Sequence, residues 1–226
     1  VYAGMAGFYI IRDTHDTGLF GNSLDLPAWP YEKALAIQDK MFHNDGSLFY
    51  PAYPGDPFYE DFIVGEGADL SDGSPAYFGL FDNPEYPNSE PEEGYGPSGL
   101  AEFFGDHMVV NGKIWPKMDV EPRYYRLRLL NGCDSRFLVI RFRKAASNTS
   151  TDLTGAGAPI PFTVIGSDQG LASSPTEVDT LVVETGSRYD IIFDFKKVSN
   201  GERVIMENIG GDTPFGFSYG DDLEPE

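Results

Sequence analysis

The side chains best suited to thiol or transition-metal chemistry are few: one cysteine, Cys133, and three histidines, His15, His43 and His107. A single cysteine excludes an internal disulfide, a CxxC redox pair and a thiolate zinc site. The histidines lie far apart. No two have the HxH, HExxH or HxxxH spacing that sets two imidazoles on one strand or helix face. Cys133 follows Asn131 and Gly132 in a turn-like context, with no histidine near in sequence to serve as its base. The expectation is an inert small residue rather than a nucleophile.

Other chemistries are absent or weakly signalled. No GxxxxGK[ST] phosphate loop occurs, and Gly112-Lys113 lacks a preceding glycine-rich turn. Gly155-Ala156-Gly157 lacks the third glycine of a dinucleotide fingerprint, and there is no GxSxG elbow. Asp13, Asp16 and Gly18 match calcium-loop spacing only loosely. Glycosidase acid pairs could be assembled almost anywhere from 36 acids, so they carry no information. Asn148-Thr149-Ser150 is a glycosylation sequon, meaningful only in a secreted eukaryotic protein. Nine of the 16 basic residues fall between Lys113 and Lys144. They could form an anion site; the plainer reading is outward strand faces that pair with the acidic excess.

The chain that must position these residues has 226 amino acids, enough for one large all-β domain or two small ones. Its net charge of -20 argues against nucleic acid or an anionic membrane as partner. Hydrophobic residues at 41% and aromatics at 14% suffice for a packed core. No apolar run approaches a membrane span, and no signal-peptide pattern is present. The first residue is Val1, so the expectation is a chain processed or cut from something longer.

Strands account for nearly all the patterning. Residues 7–12 read as a strand after a small-residue turn, and 14–33 as a linker. An Asn44-Asp45-Gly46 cluster between two apolar runs marks a hairpin. Residues 52–104 form a long loop of acids, prolines, glycines and aromatics, and no Lys or Arg occurs from Met41 to Gly112. Beyond it, 124–130, 136–144, 162–165, 180–183, 188–195 and 203–207 alternate with period two. About nine strands separated by Gly/Pro/Asn turns predict a Greek-key β-sandwich or barrel. Its core should contain Leu127, Leu129, Leu138, Ile140, Tyr189, Ile191 and Phe193. Residues 210–226 read as an acidic exit linker.

Several blocks then resemble, in order, the multicopper oxidases of the spore-coat laccase and bilirubin oxidase branch: VYAGMAGFYIIRD, NDGSLFYP, VVNGKIWPKMDVEPRYYRLRLLN, SRF, IGSDQGL and RYDIIFDF. The resemblance covers nearly all of the chain except 52–104. It implies a cupredoxin-like fold. Residues 1–13 would close a preceding cupredoxin domain, and 34–209 would be the second. The family oxidises phenols, pigments or metal ions and reduces O2 to water. Its copper ligands lie in two upstream His-x-His motifs and in downstream HPxHxH and HCHxxxH segments, none of which occurs here. Copper is therefore expected in the parent enzyme and not in this chain alone.

By the same resemblance, this domain spaces the flanking cupredoxin domains and lends loops to a pocket for a small aromatic substrate. The matching residues are Phe103, Phe104 and Gly105, and Gly210 and Gly211. Their plainer role is ordinary loop packing. Phe104 stands where the spore-coat laccase has a cysteine. An extracellular or cell-envelope location follows only from the family. An exposed edge strand at 7–12 would invite self-association. Two readings stay open beside the oxidase fragment: an independent copper-free cupredoxin module, and an unrelated β-sandwich hydrolase or carbohydrate binder.

Overall fold

The structure, a computed structural model, describes residues 1–50 and 103–211. Within them lie eleven strands: β1 Glu32–Phe42, β2 Leu48–Phe49, β3 His107–Val110, β4 Lys113–Ile114, β5 Tyr124–Asn131, β6 Leu138–Lys144, β7 Phe162–Ser167, β8 Gly170–Val178, β9 Leu181–Val183, β10 Arg188–Asp194 and β11 Val204–Asn208. One 3-10 turn, Phe195–Lys197, follows β10. No described helix is long and apolar enough to cross a membrane. The chain divides into two compact units, Val1–Lys40 with Phe104–Glu226, and Met41–Phe103.

In the larger unit one sheet runs β4-β3-β1-β5-β10-β7-β8, and a three-stranded sheet runs β11-β6-β9. β5 is central, parallel to β1 and antiparallel to β10. Its odd-numbered side chains, Tyr125, Leu127 and Leu129, face inward with Ile191 and Phe193 of β10. They share one core with Leu138, Ile140 and Phe142 of β6 and Val183 of β9. The two apolar faces make the expected sandwich, and each buried side chain contributes about 1.5–3 kcal/mol. Tyr189, expected inside, is only partly buried against the core, because it sits near the start of β10. Phe142 packs 4.5 Å from Phe193 and 5.2 Å from Phe162, and Tyr125 meets Phe195 edge-on at 5.2 Å.

The arginines on the opposite face of β5 pair with acids as expected, but that face is buried rather than outward. Arg126 is 1% exposed, the least exposed arginine of the strand. Residues 12–32 cover it. Its guanidinium donates to both carboxylate oxygens of Asp16 at 2.8 Å and to Asp190 of β10 at 2.9 Å. Glu32 accepts from Arg12 and from Arg128, each at 2.6 Å. Alternation therefore put the arginines on the correct face. What covers that face is chain distant in sequence. The Arg126 bonds hold the Asp16 carboxyl below the usual carboxylate range. For Glu32, burial opposes ionisation, but the bonds from Arg12 and Arg128 outweigh it. Burial would also discharge Arg126, and its bonds to Asp190 and Asp16 reverse that.

Residues 14–33 are likewise pinned rather than loose. Asp13 accepts from the amides of His15 and Asp16, and Asn22 bonds the main chain of Leu19 and Leu26. The Trp29-Pro30 peptide is cis. Residues 7–12 carry no strand assignment, and among the described residues no strand pairs with them. Tyr9 is 93% exposed and Ile11 82%.

In the smaller unit, Met41 and Phe42 pair with Phe49 and Leu48 across the predicted turn. The His43 amide donates to the Ser47 carbonyl at 2.8 Å, and Gly46 takes φ 84°. The 52–104 loop, apart from Phe103 and Phe104, lies outside the described residues, as do residues 212–226 of the exit segment.

A buried ion pair that loses one partner costs about 3 kcal/mol or more. Asp16→Asn should destabilise the protein by about that amount at neutral pH. Because the Asp16 pKa is depressed on folding, its stabilisation is complete above the ordinary carboxylate range and is lost as pH falls through the lowered value. Urea denaturation should show the gap between parent and variant narrowing below about pH 4. A gap that stays constant with pH would refute the assignment.

Candidate functional site

The glycines of the two candidate loops are fixed by buried polar side chains. Asp39 stands inside β1 in the run Gln38-Asp39-Lys40, whose side chains are all buried. Its Oδ2 accepts from the Gly105 amide at 2.7 Å and from Arg136 Nε at 3.2 Å. Arg136 Nη2 in turn donates to the Gly105 carbonyl at 2.9 Å. The ion pair thus grips both ends of one residue. The Arg136 guanidinium also lies 5.4 Å from the Phe104 ring centroid.

Asn208 does the same for the second loop. Its Oδ1 accepts from the amides of Val139 and Gly210, and its Nδ2 donates to the Gly210 carbonyl. A Cβ built on Gly105 would lie 2.3 Å from Lys40 N, and one on Gly210 would lie 2.4 Å from the Phe137 carbonyl oxygen. Both positions therefore require glycine for close backbone approach.

The structure thus brings Gly105 and Gly210 onto adjacent residues, Arg136 and Phe137, of one turn. Asn131 stabilises that turn by donating to the carbonyls of Arg136 and Val183 and accepting from the Cys133 amide. Phe104 is buried and Gly211 half-buried. Phe103, in the smaller unit, is buried with its ring 5.0 Å from that of Tyr50. Sequence reading found the glycines but not Asp39, Arg136, Asn131 or Asn208, which hold them. The available signal was three consecutive polar residues inside an apolar strand.

The metal-capable residues stay dispersed. His15 Nδ1 is 3.0 Å from Ser23 Oγ on the surface. The His43 ring packs on Phe49, and His107 lies beside Asp106 and Trp115. Cys133 is buried; desolvation, then the charge of Asp39, push its thiol well above the usual range. A copper thiolate or nucleophile needs the reverse shift. Among the described residues no three of His, Cys, Asp and Glu could hold a metal ion. These residues do not fit a copper centre. Asp16, loosely placed in a calcium-like spacing, is consumed by the arginine cluster.

No family model matches the chain. It is 33% identical over all 226 residues to the laccase of Bacillus subtilis (strain 168), of which it covers 32%. It is 36% identical over 112 residues, half of this chain and 18% of the relative, to the bilirubin oxidase of Albifimbria verrucaria. Among solved structures, the 2F4 variant of the McoA multicopper oxidase from Aquifex aeolicus superposes with TM-score 0.61 at 26% identity. That match spans 92% of this chain and 33% of that one. Along its whole length the chain is similar to part of these multicopper oxidases. It spans about a third of the length of the Bacillus laccases it matches. Its sandwich shares the cupredoxin-like fold of that multicopper oxidase structure, and the clamped loops are positions within it.

The clamps give a direct test. Gly105→Ala and Gly210→Ala should each cost about 3 kcal/mol, because the added methyl meets backbone atoms that cannot swing aside. Gly157→Ala is the control, since its nearest neighbour is 3.7 Å away and it should be nearly neutral. Chemical denaturation of the three variants decides the matter. Equal stabilities would remove the packing argument.

Proposed function

We propose that this chain is the middle portion of a laccase-like oxidase whose copper is held by flanking cupredoxin domains. The parent would take four electrons, one at a time, from phenolic, pigment or metal-ion substrates and reduce O2 with four protons to two waters. The present residues would space the copper-bearing domains. Phe103, Phe104 and Gly105, with Gly210 and Gly211, would contribute to the substrate pocket. Residues 1–13 would complete a preceding domain.

The observation that carries this reading is the 33% identity to a laccase along the entire chain, with only about a third of that laccase covered. Two features support it. Residues 7–12 find no strand partner among the described residues while exposing Tyr9 and Ile11, as a segment belonging to another sheet would. The two candidate loops meet at one turn and are rigidly held, which suits positioning more than chemistry.

Metal analysis of the purified chain after dialysis against a mild chelator should find almost no copper, and its visible spectrum should lack an intense thiolate-to-copper band. Retention of about one equivalent with a blue colour would overturn the reading, because one buried cysteine and scattered histidines would then be forming a site. In a protein carrying the flanking copper domains, Phe104→Ala should change KM for a phenol while copper content holds. An unchanged KM would remove Phe104 from the pocket.

A further inference from the structure

A groove of about 520 Å3 opens on the larger unit, and neither clamped glycine lines it. Its walls come from residues 20–27, from the turn before β5 and from the 3-10 turn after β10. Phe20, Pro27, Pro122 and Tyr124 supply flat apolar surface, and both rings are substantially exposed. Two cations line the same walls, Arg123 and Lys196.

The charges of the groove are not equivalent. Arg123 stacks 3.5 Å over the Tyr31 ring, and its Nη1 lies 3.7 Å from Glu121. Glu121 also accepts from the Tyr31 hydroxyl at 3.0 Å. That set largely satisfies itself. Lys196 differs: its Nζ lies 4.1 Å over the Tyr124 ring, and among the described residues no carboxylate pairs with it. In a chain with 36 acids and 16 cations, an ammonium left on an aromatic face beside a groove of mixed polar and apolar lining is an uncommitted anion partner.

We propose that this groove binds an aromatic carboxylate. The ring would lie against Phe20, Tyr124 and the two prolines, and the carboxylate would meet Lys196, with Arg123 as the next nearest cation. Asp25 and Glu121 on the same walls repel further negative charge, so the site selects a monoanion over a polyanion. The inference goes beyond the oxidase reading, since no copper and no electron transfer enters it.

Isothermal titration of the purified protein with benzoate tests it, with benzylamine and inorganic phosphate as competing chemistries. Benzoate should bind saturably and more tightly than either. Lys196→Gln should weaken it about tenfold, equivalent to about 1.4 kcal/mol. That variant keeps the fold, because only the Lys196 main-chain amide serves the Asp194 cap. Asp25→Asn should tighten benzoate, and asparagine tolerates the φ of 51° found there. Failure of benzoate to saturate, equal affinity in Lys196→Gln, or binding of phosphate or benzylamine as tight as benzoate would each overturn the proposal.

Discussion

The burial of Arg126 is the constraint on which the larger unit depends. β5 is the middle strand of its sheet, and its inward face supplies the core with Tyr125, Leu127 and Leu129. Alternation then forces Arg126 and Arg128 onto the other face. A guanidinium there can lose water only if carboxylates replace it. Asp190 comes from the neighbouring strand, while Asp16 and Glu32 come from the segment before and at the start of β1. The charge on one strand thereby recruits chain more than 90 residues away and converts an apparent linker into a fixed cover.

A second buried pair repeats the logic at smaller scale. Asp39 and Arg136 pair with each other and both also hydrogen-bond one glycine peptide. Asn208 achieves the same with a neutral amide. In both cases a polar side chain in a low-dielectric setting fixes a loop more firmly than apolar contact would, because any displacement would strand a buried donor or acceptor. Asp39 Oδ1 and Glu207 Oε2 have no partner among the described residues, so such positions stand close to the limit of what burial tolerates.

The sequence disclosed its fold where alternation was strong. β5, β6 and β10 carry clean apolar faces, and the hairpin after β1 carries its Asn-Asp-Gly turn. β8 was missed because GLASSPTEV holds almost no large apolar residue; it is an exposed edge strand held by backbone bonds to β7. Residues 7–12 pose a different case. FYII has strand composition, but a strand forms only with a partner to complete its hydrogen bonds, and none lies among the described residues. The site was legible to the same extent. Gly105 and Gly210 could be named, whereas the side chains that hold their peptides arrive from β1, β11 and the 131–137 turn, and the backbone that crowds them from β1 and that same turn. Such contacts are a property of the packed chain and leave no local pattern.

The antiparallel pairing of β1 with β3 bears on how this chain could change length. These strands are neighbours in the sheet, with Ile37 opposite Val110 and Lys40 opposite His107, yet 64 residues lie between Phe42 and His107 in the sequence. Their register is set by the sheet on both sides and not by a tight turn. Doubling a long connection adds only about 0.6 kcal/mol of closure entropy. The stretch between these two strands is therefore a growth point, where relatives can acquire or shed residues while the sandwich, its buried charges and its gripped glycines stay in place.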